Sequence, residues 1–275
     1  MLLVILFLVG AGLLAYPAIS NYLSSRQQSK VIDGYKNQIS KMTSEELSQA
    51  LKDAQEYNQT LIGNVVLKDP FDFEAVQEQN QAYNQLINLN NDSMMGYLNI
   101  PSVNVYIAIY HGTDAEILQK GAGHLLNSSL PVGGQGTHAV ISAHSGLPTA
   151  KYFTDLNQLK KGDLFYLEVL DQTLTYEINQ IKVVNPQDIK DLYIDIQQDY
   201  VTLVTCTPYG INSHRLLVRG VRTADNSTQE NKSPAVIQSQ GNYWWLDKYI
   251  FLIPFVILAI IKVWVIYKRR VRDSV

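Results

Sequence analysis

The chain has 275 residues and a net charge of −3, from 22 Lys and Arg against 25 Asp and Glu. That length holds one or two domains, and the near-balanced charge excludes the concentrated basic face that nucleic-acid binding requires. A single cysteine excludes an internal disulfide framework, and seventeen tyrosines with abundant Val, Ile and Thr favour β-structure.

Leu2 to Ile19 is uncharged and almost wholly apolar, at the short end of what crosses a bilayer. No basic residue precedes it and no small-x-small site follows, so residues 1–20 read as an uncleaved anchor whose natural start lies upstream of Met1. Residues 21–92 read as mainly helical. Thr43 and Glu46 make a capping box ahead of the stripe Leu47, Leu51 and Ala54. Val76, Tyr83 and Ile87 form a weaker stripe, and Pro70 in Leu67-Lys68-Asp69-Pro70-Phe71 interrupts the helical pattern between them.

From 93 to 223 the texture is that of strands. Tyr97–Ile100, Val103–Tyr110, His138–Ser142, Leu164–Val169, Leu174–Ile178, Ile181–Val184, Tyr200–Thr205 and Arg215–Val221 are each β-rich and separated by turn residues. Eight short strands predict a mainly β domain, closed as a barrel or stacked as a sandwich. Residues 224–242 are a polar linker. Residues 243–267 read as a second membrane span, bracketed by Trp244, Trp245, Trp264 and Tyr267. The tail, 268–275, carries Lys268, Arg269, Arg270 and Arg272. The positive-inside rule then puts both termini in the cytoplasm and the β domain outside.

Cys206 stands at the end of a strand pattern, in Thr202-Leu-Val-Thr-Cys206-Thr-Pro-Tyr-Gly210. An exported thiol is open to oxidation, and the bland reading is a buried core cysteine. A nucleophilic cysteine needs a proton-transfer partner and an oxyanion donor. His111, His124, His138, His144 and His214 all qualify by type. His138 and His144 share strand parity but lie about 20 Å apart at ~3.3 Å per residue, so both cannot serve one thiol. If Tyr200–Cys206 and Arg215–Val221 form a hairpin, Cys206 and Arg215 are cross-strand neighbours or nearly so. A guanidinium there stabilises a thiolate or an oxyanion; the competing reading is an Arg snorkelling at a barrel rim. No metal-ligand spacing is visible.

The segment Thr202-Leu-Val-Thr-Cys206-Thr-Pro-Tyr-Gly-Ile-Asn-Ser-His-Arg215 resembles the nucleophile segment of sortases, the cysteine transpeptidases of Gram-positive cell surfaces. Gly123–Gly134 and Ala143-His144-Ser-Gly-Leu-Pro148 resemble the histidine region of that family. The Tyr-Gly-Ile-Asn-Ser-His-Arg continuation, the C-terminal span and Asp69-Pro70-Phe71 are similar to class C, the pilin-polymerising group. The resemblance implies an eight-stranded sortase-type barrel preceded by a helical and lid region, with a transmembrane helix at each end. It implies Cys206 as nucleophile, His144 as acid and base, and Arg215 as oxyanion donor. Asp69, Pro70 and Phe71 are implied as a lid, with Asp69 pairing with Arg215 and Phe71 over the Cys206 sulfur. The implied partners are pilins bearing LPXTG-type signals and an acceptor lysine, with neither metal nor cofactor. Competing expectations are a sortase that anchors surface proteins to cell-wall peptide, a papain-like hydrolase, whose nucleophile precedes its histidine, and a non-catalytic membrane-tethered scaffold.

Overall fold

The chain is described by a computed structural model that covers residues 2–63, 67–72, 81–89 and 91–223. The expected linker, second span and basic tail lie outside these residues.

Two helices open the described chain: α1 (Leu2–Ile39) and α2 (Ser44–Thr60). Thr43 caps α2: its hydroxyl accepts from the Glu46 N–H, and Glu46 reaches back to the Thr43 N–H. This is the capping box anticipated from the sequence, satisfying two otherwise orphaned donors. A short helix α3 (Gln81–Gln85) follows, then the strands β1 (Met94–Ile100) and β2 (Val105–His111), a helix α4 (Ala115–Lys120), and β3 (Ala122–His124). The remaining strands are β4 (Thr137–Ser142), β5 (Leu164–Val169), β6 (Gln172–Val184), β7 (Asp199–Thr207) and β8 (His214–Arg222). They close into a barrel in the order β1-β2-β3-β4-β7-β8-β6-β5.

The barrel, the expected architecture, arises from alternation. Inward residues Ala139, Ile141, Val201, Leu203, Leu216 and Val218 join Phe165, Leu167 and Tyr176 in the main core. Gly220 is required there, because a Cβ would fall 2.5 Å from the Phe165 ring, inside any real contact.

Each long helix is fixed to the barrel by one buried amide. Gln28 accepts from Ala108 N–H (2.9 Å) and donates to Lys120 O (2.6 Å), bridging β2 to the C-terminal end of α4. Asn58 accepts from Leu130 N–H (2.7 Å) and donates back to Leu130 O (3.1 Å). Tyr35 adds a third tie, its hydroxyl donating to Met95 O and accepting from Leu170 N–H.

α1 runs unbroken through residue 20 with Pro17 inside. Among the described residues, no helix is long and apolar enough to cross a membrane. From Asn21 to Lys30 α1 continues through a largely polar run onto the barrel, where Ile32 and Tyr35 are buried. Leu6, Phe7, Val9, Leu13 and Leu14, by contrast, are exposed.

His124 and His138 are buried structural histidines. The His124 ring lies between Tyr83 Oη (2.9 Å) and Ser129 O (2.8 Å), and that of His138 between Tyr193 O (2.9 Å) and Thr202 Oγ1 (2.7 Å). Burial pushes His124 down to about 3 and His138 to about 4. Both therefore stay neutral in the folded protein at pH 5 but protonate near 6.5 once the chain unfolds. Between these values the unfolded chain binds more protons, so stability falls on acidification by up to about 1.4 kcal/mol per pH unit for each ring. Urea melts from pH 6.5 to 4.5 are expected to show this slope. A flat profile would mean that both rings are already charged in the native state.

Candidate active site

The site grows out of the outward faces of three adjacent strands. Because Val201, Leu203 and Thr205 point inward on β7, Thr202, Val204 and Cys206 point outward. The same alternation turns Arg215 and Leu217 outward on β8, and His138, Val140 and Ser142 outward on β4. The antiparallel register pairs Cys206 directly with Arg215. On the other side β4 runs parallel to β7, with Ser142 opposite Val204. Ala143 N–H donates to Val204 O (3.2 Å), and Thr205 Oγ1 donates to Ala143 O (2.7 Å). These bonds hold the end of β4 beside the end of β7, so the next step along each strand is His144 on one and Cys206 on the other.

The loop after His144 is pinned at three points. Phe153 N–H donates to His144 O (3.1 Å), and Gly146 N–H donates to Thr154 Oγ1 (3.0 Å). The third is the Tyr209 ring from the β7–β8 loop, which occupies the space where a Cβ of Gly146 would stand, 2.9 Å away. Gly146 also has φ +80°, a region that disfavours side chains.

Segment 67–72 covers this corner. Asp69 grips Arg215 in a bidentate pair, with Nε donating to Oδ1 (2.8 Å) and Nη2 to Oδ2 (2.5 Å). The two side chains are only 11% and 13% exposed. Nη1 donates to Asn212 O and His214 O (both 3.2 Å), so all three guanidinium nitrogens are engaged. Asp72 N–H donates to Asp69 O, closing a turn around the buried Pro70. Leu67 and Phe71 pack onto Val140, Val204, Leu217 and Leu192. The Phe71 ring lies 5.9 Å from the His144 ring, and the Arg215 guanidinium carbon is 5.0 Å from its centroid. The Phe71 ring thus lies against both the imidazole and the guanidinium.

Cys206 is 9% exposed. Burial raises its thiol above the ordinary 9.0, Arg215 opposes that, and the Asp69 carboxylate adds to it. Burial lowers His144. Burial thus disfavours the charged form of both groups. Of the other histidines, His111, His124 and His138 are buried and hydrogen-bonded elsewhere, and His214 bonds Ser213. Sequence reasoning missed Thr205, Thr154, Gly146 and Tyr209 as parts of the corner: Thr205 and Tyr209 act through partners some sixty residues away, and the Gly146–Thr154 bond closes a loop with no regular pattern.

A family model for the sortase domain matches residues 98–223. The sortase C structure from Streptococcus pneumoniae is 45% identical, with a TM-score of 0.67, over 71% of this chain and 97% of that one. The chain belongs to the sortase family. Sortase C-1 from Actinomyces oris is 46% identical over 65% of this chain and 99% of that one, with a TM-score of 0.60. Sortase C1 of GBS Pilus Island 1 is 41% identical over 74% of this chain and 96% of that one, with a TM-score of 0.65. Sortase D of Bacillus subtilis is 32% identical over 130 residues, 46% of this chain and 63% of that protein's length. The strong structural likeness of this chain is thus to pilus-related sortase C proteins. Sortases are transpeptidases, which sets aside the papain-like and scaffold readings.

Gly146→Ala is expected to lower turnover of this sortase by about 10- to 100-fold if the loop carries a reacting group, since small displacements of such a group carry costs of that order. Comparing kcat at matched folded fraction tests this. Unchanged kcat would mean that Tyr209 yields without moving His144.

Proposed function

We propose that this sortase cleaves an LPXTG-type sorting signal between Thr and Gly and transfers the acyl group to a pilin lysine, so polymerising pilins. The observation that carries the reading is the direct pairing of Cys206 with Arg215 beside the His144 loop, under a segment that occupies the guanidinium. In this reading segment 67–72 is a lid. When it leaves, the Nε and Nη2 of Arg215 are released toward a developing oxyanion, and Cys206 and His144 lose the covering that disfavours their charged forms.

Once the segment has left, the Cys206 thiol passes its proton to His144; the thiolate attacks the Thr carbonyl carbon, and the C=O electrons move to oxygen, where Arg215 hydrogen-bonds the negative charge. The intermediate collapses as His144 gives its proton to the glycine nitrogen. The C–N bond breaks, and a thioester to Cys206 remains. A neutral lysine amine attacks the thioester, His144 takes the amine proton, and the thiolate leaves as the isopeptide bond forms. Cys206 and His144 titrate as a coupled pair through these steps.

The exposed apolar residues Leu6, Phe7, Leu13 and Leu14 at the start of α1 suit a lipid surface. On this reading the enzyme works at the outer face of the cell membrane, where pilins bearing sorting signals are presented. Intact-mass analysis after incubation with an LPXTG-type peptide is expected to show the acyl adduct on Cys206, released by hydroxylamine. With a purified pilin it is expected to give a ladder on a denaturing gel. An adduct without a ladder, but with transfer to cell-wall peptide, would shift the reading to surface-protein anchoring.

A further inference from the structure

Ser142 ends β4 with its side chain wholly buried, and its hydroxyl has no hydrogen-bond partner among the described residues. A hydroxyl that bonds water in the unfolded chain loses that bond on burial, and native structures seldom leave such a group without purpose. Its placement is specific. It faces outward with Val140, opposite Val204, one outward step before both His144 and Cys206. Leu67 and Phe71 of the lid cover Val140 and Val204 with apolar surface, which offers a hydroxyl nothing. On its other side Ser142 pairs with Gly123. A Cβ on Gly123 would meet Gly112 O, Leu118 and Thr113 Cα, so the turn between β2 and α4 roofs this corner. Thr113 is also fully buried, with its hydroxyl unpartnered among the described residues.

We propose that Ser142 is a substrate-positioning residue, whose hydroxyl hydrogen-bonds the backbone of the sorting-signal peptide once the lid has left. The proposal rests on the transpeptidase reading above. An extended peptide laid along β4 and β7 presents backbone N–H and C=O groups at about 3.3 Å per residue, and a hydroxyl both donates and accepts. The contact recognises the main chain, so it serves every sorting signal alike. It also biases the competition for the site: the substrate satisfies Ser142, whereas the apolar lid leaves it orphaned.

The test uses the full chain with Asp69→Ala as an open-lid parent, so that changes in lid packing do not enter. Ser142→Ala is expected to raise KM for a fluorogenic LPXTG-type peptide about fivefold, the effect of one lost hydrogen bond, and to leave the apparent KM for the amine acceptor unchanged. The same substitution removes a buried orphan and is expected to raise Tm. An unchanged peptide KM with a lowered Tm would overturn the proposal, because the hydroxyl would then serve the fold, through a buried water. A change confined to the acceptor KM would overturn it too. A parent that forms no thioester would sink the transpeptidase reading and this inference with it; a parent that acylates, with Ser142→Ala at parental KM, sinks the inference alone.

Discussion

Cys206→Ala is expected to eliminate the acyl-enzyme and to reduce peptide cleavage and transfer by at least ~10⁴-fold, the order lost when a covalent catalyst is deprived of its nucleophile. No neighbouring group replaces the sulfur. Thr205 points inward and donates to Ala143 O, and a serine hydroxyl such as that of Ser142 is far less nucleophilic at neutral pH than a thiolate. The fold is expected to survive. The swap removes one atom from a side chain 9% exposed, and the Asp69–Arg215 pair that holds segment 67–72 does not involve it. Intact mass and a melting curve on the same sample separate the two effects: no adduct with a near-parental Tm is the expected pair of results. Retained isopeptide formation by this variant would sink the assignment of Cys206.

The barrel was legible where alternation was clean. The core residues of β4, β5, β7 and β8 follow a period of two, and these strands stand within a residue or two of their expected limits. The expected count of eight nevertheless has a different membership. Leu174–Ile178 and Ile181–Val184 are one strand, β6, bent by a register shift between Ile178 and Gln180, and the polar Asn179-Gln180 at the bulge imitates a turn. β3 went unseen, since three residues with a central glycine show no alternation; it exists because β2 and β4 flank it. Val103 belongs to a 3-10 turn started by Pro101, and Asn104 takes a left-handed φ of 54° before β2 begins.

At the site, the strand patterns Tyr200–Cys206 and Arg215–Val221 place Cys206 beside Arg215 if they form a hairpin; they do, and the register makes the two residues partners. The Asp69–Arg215 pair came from resemblance, since 146 residues separate its members. Ser142, Tyr209 and the amides of Gln28 and Asn58 carry no local signal: their roles depend on what tertiary packing leaves paired or unpaired.

Asp69→Ala is expected to speed alkylation of Cys206 at pH 7 by more than tenfold. Two effects with different pH signatures combine. Hydrogen bonds to charged groups contribute roughly 1.5–3 kcal/mol each when buried, and these side chains retain some exposure, so the lid contact stabilises closure by less than their sum. Losing even about 1.4 kcal/mol raises the open population tenfold. The second effect is on the thiol. Burial is the main force raising its pKa, Asp69 adds to it, and Arg215 opposes it. Removing Asp69 deletes one raising influence, uncovers the sulfur, and leaves Arg215 free to face the thiolate. The thiol pKa therefore falls from above 9.0, and each unit of fall multiplies the thiolate fraction at neutral pH about tenfold. At pH above the raised pKa of the parent thiol, the parent ionises too, so the ratio of variant to parent rates shrinks toward the part due to access alone. A ratio that declines with pH but stays above one is the expected profile. Equal rates at every pH would show that segment 67–72 neither shields Cys206 nor tunes it, and the lid would have to be abandoned.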